Sequence, residues 1–205
     1  MTVGTAPATT DRSDFRHILG SGAKLGAAAA VAVVVYLAVS RLVPVGTVQA
    51  LLQTAVVLAA AVAASLLPAQ WTTARGTQGI AGAAAVGLWG TIVFMAIDII
   101  VLRPLQAYPW TWDAVGGGST WWYLPIWWML GTFVAWMGGM LTAGRAARGG
   151  DTSLGALAFP VLTGAVLIAA GVALAHVPIY LPVAAGAAFT ATLTVLAVVA
   201  IARKA

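Results

Sequence analysis

The sequence predicts an all-α, polytopic integral membrane protein built as a bundle of six transmembrane helices, and three observations support that fold class. The 205 residues are 61% hydrophobic and only 7% charged. Soluble domains carry about 25% charged residues, so this chain could not cover its own surface for water. Six segments hold the roughly 20 apolar residues that a helix needs to cross a bilayer. Prolines lie near the ends of most of these segments, where a missing backbone N–H costs least.

The predicted organisation is a short tail followed by a single transmembrane domain. Residues 1–16 are polar and of mixed charge, so we expect a cytoplasmic tail rather than a cleaved signal peptide. Residues 17–205 form the transmembrane domain. Its helices are expected at about residues 19–43, 47–67, 79–102, 123–143, 154–175 and 180–202. Pro160 lies inside the fifth segment, where it is either still in the first turns or at a mild kink.

The basic residues predict the orientation, because cytoplasmic segments of membrane proteins are enriched in Lys and Arg. With the N-terminus inside, the outer segments hold only Arg41 and Arg103. The inner segments then hold the other eight, which are Arg12, Arg16, Lys24, Arg75, Arg145, Arg148, Arg203 and Lys204. This bias predicts that both termini are cytoplasmic. The high Ala and Gly content is typical of GC-rich bacterial genomes, so the expected location is the bacterial cytoplasmic (inner) membrane.

The longest connection, the outer loop between helices three and four, is rich in tryptophan. Six of the nine Trp lie in it or just after it, namely Trp110, Trp112, Trp121, Trp122, Trp127 and Trp128. Indole rings favour the headgroup layer, so one interpretation is an aromatic belt on the outer face. The other is that the loop folds back over the bundle, through the flexible Gly116–Gly118, and packs on another subunit or a ligand.

Small residues predict where the helices pack, because close backbone approach drives helix association in lipid. Glycines recur along helices three and four, and helix five carries Gly164 and Gly171 on one face. Gln49 and Gln53 lie four residues apart on one face of helix two, and interhelical hydrogen bonds would account for them.

Asp98 is the carboxylate that the sequence places inside a predicted helix, close to its outer end. Carboxylates within membrane helices are costly and usually have a function or a partner. Three interpretations stay open. Asp98 could form a structural ion pair with Arg103 and Arg41, serve as a proton or cation site, or simply be exposed.

Few residues could hold a metal or perform catalysis. The chain has no Cys, Glu or Asn, and its acids are five Asp. Asp98, Asp113 and His176 are weak candidates for a metal site on the outer face, and no catalytic residue is identified. His17 and His176 lie on opposite sides, which disfavours a haem held between them. Any cofactor is unknown, and none is expected to be bound by this chain alone.

From Tyr108-Pro109 onward, short motifs resemble the A-type membrane subunit of the copper membrane monooxygenases, which oxidise ammonia, methane and short alkanes. The motifs are Tyr108-Pro109, Leu124-Pro125 with Met129-Leu130, Pro178-Ile179-Tyr180 and Leu181-Pro182. Gly131 stands where that family has Asp, and the loop before Leu124 is longer. The resemblance implies a scaffold subunit whose partners hold the copper, and it carries over no catalytic residue.

Three functions follow from these observations. The favoured one is a non-catalytic accessory subunit of a larger membrane complex, which packs through its Gly/Ala helix faces and its Trp-rich loop. The alternatives are the monooxygenase-like scaffold just described and a small secondary transporter or channel that uses Asp98. The expected partners are other membrane subunits and lipids. The basic residues are too scattered for a nucleic-acid site.

Overall fold

The structure is a computed structural model, and it describes residues 12–105, 107 and 123–202. This part of the chain is all-α and contains no strand. Its helices are α1 (Phe15–Leu42), α2 (Thr47–Trp71), α3 (Thr77–Ile97), α4 (Tyr123–Ala146), α5 (Leu154–Leu174) and α6 (Leu181–Ala202), and α3 continues into a π-helical turn, Asp98–Leu102. All six α-helices are long and apolar enough to cross a membrane. The predicted fold class is confirmed at this level.

The bundle has two sides. The start of α1, the end of α6 and the α2–α3 and α4–α5 connections lie on one side, which we call the terminal side. The His17 ring nitrogen Nε2 is 2.8 Å from the Trp71 carbonyl oxygen, and Gln70 donates to the Thr152 carbonyl across 2.7 Å, so these ends meet there. The α1–α2 and α5–α6 connections, the end of α3 and the start of α4 lie on the opposite side.

α2 lies at the centre of the bundle and contacts all five other helices. The order of contacts around it is α1, α3, α4, α6 and α5. α5 packs mainly on α6 and makes a smaller contact with α2. One face of α2 therefore stays uncovered, and Val48, Leu51 and Ala59 are exposed on it.

Two helix ends differ by four residues from the sequence prediction, and the others differ by three or fewer when α3 is counted through its π-helical turn. α1 begins at Phe15, before the predicted end of the tail at residue 16, because the Asp14 carboxylate accepts a hydrogen bond from the His17 N–H and caps the helix. α2 continues to Trp71, four residues past the predicted end. It runs through Pro68, whose carbonyl accepts bonds from both the N–H and the hydroxyl of Thr72.

α2 ends in a strained turn. The Thr73 N–H donates to the Gln70 carbonyl and the Ala74 N–H donates to the Ala69 carbonyl, which is the pattern of a Schellman motif. Thr73 has a φ of 48°, in the left-handed region that β-branched residues rarely adopt. The turn is therefore held by its surroundings and not by the preference of Thr73.

The helices that meet at α3 pack by close backbone approach. A Cβ added at Gly87 would lie 2.5 Å from the Ala135 Cβ of α4, and one added at Gly26 of α1 would lie 2.6 Å from the Gly90 carbonyl oxygen. A larger side chain at Gly87 or Gly26 would push the helices apart. A second core, built from larger side chains, lies where α2, α4, α5 and α6 meet and includes Leu66, Met137, Leu157, Phe189 and Leu193.

Candidate functional site

The end of α3 holds a buried ion pair. Asp98 is 1% exposed, and the Arg103 Nε donates to its Oδ2 across 2.9 Å. The π-helical turn makes this contact possible. The Arg103 N–H bonds to the Asp98 carbonyl at 2.9 Å, one residue further than in an α-helix, so that residues five apart lie on the same side of the turn. Short π-helical turns are rare in proteins, but those that do occur are often found at functional sites.

Arg41 lies near this region but has a different partner from the one that the sequence suggested. Its guanidinium donates to the Ala107 carbonyl, just beyond the π-helical turn. The Ala107 N–H in turn donates to the Leu102 carbonyl at 3.0 Å. Among the described residues the Asp98 carboxylate is therefore paired with Arg103, while Arg41 connects the end of α1 to the segment that follows α3.

A chain of hydrogen bonds connects α1, α2 and α6 on the side of the bundle that faces away from the terminal side. The Gln49 Nε2 donates to the carbonyls of Ser40 and Val43, at 3.0 and 2.9 Å. The Gln53 Nε2 donates to the Ser40 hydroxyl at 2.7 Å, and its Oε1 accepts from the Tyr180 hydroxyl at the start of α6. Both Gln side chains are buried and bonded, which is what their spacing on helix two predicted. Sequence reasoning missed Ser40 and Tyr180, because nothing in their local pattern indicates which helix they face.

His176 has a backbone role. Its φ is 54°, its N–H donates to the Ala173 carbonyl, and the Val177 N–H donates to the Val172 carbonyl. This is a second Schellman motif, with His176 at the left-handed position that ends α5. Its ring is exposed.

The three weak metal candidates are not brought together in the part of the chain that the structure describes. Asp113 lies outside the described residues, and Asp98 is bonded to Arg103. No group of three His, Cys, Asp or Glu within the described ranges is placed to hold a metal ion. The geometry therefore offers no ligand set to which a metal can be assigned.

The Trp-rich region is described only in part. Trp110, Trp112, Trp121 and Trp122 lie outside the described residues. Trp127 and Trp128 are in the second turn of α4, and 39% and 37% of their surfaces are exposed. Both side chains thus lie partly exposed at the surface of the described bundle.

Trp136, which the sequence analysis did not single out, is also exposed. It is 46% accessible and lies 13 residues after the start of α4 and 10 residues before its end, which is close to mid-helix. Within the described chain no residue accepts a hydrogen bond from its indole. Ile126, Met129 and Phe133 precede it at helical spacing, and we call these four residues the α4 face. That spacing was the signal in the sequence that could have identified it.

An apolar groove of about 570 Å³ runs between α2 and α5. Ala55, Ala59 and Ala63 line it from α2, and Leu154, Leu162 and Val166 line it from α5. The alanines recur every fourth residue and so form a strip of methyl groups along α2, with the larger side chains of Leu58, Val62 and Leu67 beside it. The groove exists because α5 packs mainly on α6 and leaves this side of α2 open.

The hydroxyl groups inside the helices are mostly used by the helices themselves. Thr54, Ser65, Thr91 and Thr142 each donate to the carbonyl four residues earlier, at 2.7–2.9 Å. Such hydroxyls are poor nucleophiles without a neighbouring base. The arrangement supports helix packing and interaction within a membrane better than it supports catalysis. No family model matches the chain, and neither does any curated protein or solved structure.

Proposed function

We propose that this protein is a non-catalytic accessory subunit of a larger complex in the bacterial cytoplasmic membrane, with both termini in the cytoplasm. Eight of its ten basic residues lie in the segments assigned to that side, which supports the orientation. Most of the buried polar side chains in the described residues are engaged in contacts between or within helices, the hydroxyls of Thr73 and Thr192 being the exceptions. Its exposed surface, in contrast, carries residues that are unusual for a helix that faces only lipid.

Trp136 is the observation that carries the proposal. α4 has 24 residues, so at 1.5 Å per residue Trp136 lies about 20 Å from one end and about 15 Å from the other. Membrane Trp residues favour the headgroup layer, where the indole N–H can bond to water or lipid. At mid-depth, lipid tails offer no acceptor. A partner helix with a carbonyl or side-chain oxygen at that level would supply one.

The α4 face fits such a partner beyond this single residue. Met129 and Ile126 are 71% and 57% exposed. Phe133, which is half-buried and also packs against the core, lies between them and Trp136. Aromatic residues and Met are enriched in the buried centres of protein interfaces. The same helix begins next to the Trp-rich loop, so α4 and the loop together would form one interaction surface.

The test is extraction of the complex from its native membrane in mild detergent, followed by native mass spectrometry. We expect this chain to be found with at least one other membrane polypeptide. Trp136→Ala should weaken that association about 30-fold, since interface Trp residues are worth about 2 kcal/mol or more. Ile168→Ala is the control, because Ile168 is 47% exposed on α5. A preparation that contains only this chain would contradict the proposal.

A secondary transporter or channel is the second candidate, and the buried Asp98 favours it. A carboxylate that is 1% exposed beside a π-helical turn is a typical feature of a functional membrane site. Asp98→Asn should then abolish solute flux into proteoliposomes that contain only this protein. Under the first proposal the purified chain moves no solute, and the same variant only weakens folding or assembly.

The resemblance to the copper membrane monooxygenases stays a prediction. It is compatible with an accessory role, because the copper would be bound by partner subunits. Metal analysis of the intact complex and of the separated chain distinguishes this case: copper would be present in the complex and absent from this subunit.

A further inference from the structure

The groove between α2 and α5 has the dimensions of a lipid tail. It follows α2 from Ala55 to Leu67, which is 12 residues and therefore about 18 Å. One leaflet of a bilayer contributes about 15 Å of hydrocarbon, half of the roughly 30 Å core. Along α5 the groove runs from the terminal-side end of the helix, at Leu154, to Val166, just past the middle, and along α2 it ends about one turn before Trp71. It thus covers about one leaflet and not the whole membrane.

Its length and its lining favour a lipid chain over a transmembrane helix. A partner helix would be expected to extend across both leaflets. The groove walls bear only aliphatic side chains, which suits hydrocarbon.

The terminal-side end of the groove is framed by polar and basic groups. Leu154, at the start of α5, lines the groove, and the Arg145 guanidinium donates to the Ala156 carbonyl in the same turn. The Gln70 side chain binds the Thr152 carbonyl, which holds the α4–α5 connection against the end of α2.

The charge at this position is positive. Arg145 and Arg148 contribute two positive charges, and Asp151 contributes one negative charge. The Asp151 carboxylate is engaged by the Ser153 N–H and hydroxyl, both at 2.8 Å. Arg148 is exposed and lies one turn after Arg145. A lipid headgroup above the groove would therefore meet a net positive charge, which favours an anionic lipid.

We propose that the α2–α5 groove is a binding site for one acyl chain of an anionic phospholipid of the terminal-side leaflet, with the headgroup phosphate near Arg148 and Arg145. The methyl groups of Ala55, Ala59 and Ala63 leave the space that the chain occupies. The site uses neither the α4 face nor Asp98, so it is independent of the proposed subunit role.

The first experiment is a native mass spectrometry titration of the purified protein with phosphatidylglycerol and, separately, with phosphatidylcholine of the same acyl chains. We expect one phosphatidylglycerol to bind more tightly than phosphatidylcholine. Arg148→Gln should lower that affinity about fivefold, since a basic residue near a membrane surface is worth about 1 kcal/mol. Arg16→Gln is the matched control, because Arg16 is exposed on the terminal side at the start of α1.

The second experiment tests the groove itself. Ala59→Leu fills it and should reduce binding of phosphatidylglycerol at least tenfold, whereas Ala191→Leu, at an exposed position of α6, should not. The chain has no Cys, so Ala59→Cys gives a single thiol with little change in volume if the larger variant fails to fold. Phosphatidylglycerol should slow its labelling by a maleimide, and phosphatidylcholine should not.

Three results would overturn the proposal. One is equal binding of the two lipids, and another is unchanged binding of phosphatidylglycerol to Ala59→Leu. The third is protection of the Ala59→Cys thiol by a co-purifying polypeptide instead of by lipid, which would make the groove a protein interface.

Discussion

α3 and α5 are both 21-residue apolar helices that contain glycine, yet their surroundings are opposite. In α3, Gly79, Gly82, Gly87 and Gly90 are all buried. In α5, a Cβ added at Gly155 or Gly171 would have no atom within 4 Å. Small residues in a membrane helix can therefore either bring another helix close or leave space. The region around α3 is closely packed, and α5 borders the space that we assign to lipid.

Substitution of the acidic residue in each region is expected to give the largest difference in stability between the two regions. Asp98, at the end of α3, is buried and paired, so Asp98→Ala leaves Arg103 without its carboxylate. Loss of one partner of a buried pair costs about 3 kcal/mol or more. We expect this decrease in the free energy of unfolding, measured by denaturation with SDS in mixed micelles. The double variant Asp98→Ala/Arg103→Ala should recover part of it. If the single variant were as stable as the wild type, α3 would not depend on the pair.

Replacement of a glycine by alanine should change the stability of the protein differently in α3 and in α5. Gly87→Ala places a Cβ 2.5 Å from both the Ala135 Cβ and the Gly131 carbonyl oxygen. Overpacking of this kind costs about 2 kcal/mol. Gly171→Ala in α5 should be neutral or slightly stabilising, because the position is open and Ala is the better helix former. Thermal unfolding of both variants measures the contrast. Equal changes in melting temperature for the two variants would show that α3 packs more loosely than the structure indicates.

Substitutions in the turns before α3 and after α5 should change the stability of the protein less, and they should raise it instead of lowering it. Thr73 and His176 both have positive φ. Thr73→Gly removes the strain of a β-branched residue and should stabilise the protein by about 1 kcal/mol. His176→Gly should stabilise it less, since His adopts this conformation more readily than a β-branched residue. Melting temperatures of the two variants provide the comparison. A destabilised Thr73→Gly would mean that the Thr73 side chain makes a contact that outweighs its strain.

The smallest effect is expected at Asp151, the exposed acid before α5. Hydrogen bonds from the backbone N–H and the hydroxyl of Ser153, with a smaller contribution from the charge of Arg145, lower the pKa of Asp151. A lowered pKa in the folded state stabilises the protein above the unfolded pKa of about 3.9, and this stabilisation is lost as the pH falls through the folded value. The difference in melting temperature between wild type and Asp151→Asn should therefore shrink below about pH 4. A difference that is constant from pH 7 to pH 3 would contradict the assignment.

The sequence was sufficient to predict the fold class. An apolar segment of twenty residues can cross a membrane as a helix, because a helix satisfies its backbone hydrogen bonds within the segment. The sequence could not predict the π-helical turn after Ile97 or the extension of α2 through Pro68, because both depend on backbone hydrogen bonds that form only in the folded chain. The helix start at Phe15 was available in principle from the Asp14 cap.

The candidate site was less predictable. Asp98 was identified from its rarity in a membrane segment, but its partner required the geometry of the turn, which selects Arg103 and leaves Arg41 with a carbonyl. Gly164 and Gly171 share a face, yet only Gly164 meets a neighbour, Thr192 of α6. Trp136 was overlooked because the cluster of Trp near the loop dominated the pattern. Spacing identifies a shared helix face, but it does not show what covers that face.

The proposed function depends on the packing of the α4 face against another membrane polypeptide. Site-specific photo-crosslinking in the native membrane tests it directly, with the photoreactive amino acid at Trp136 and, as a control, at Val198, which is 52% exposed on α6. We expect a discrete adduct with a different polypeptide from position 136 and none from position 198. Adducts with lipid alone from both positions would contradict it.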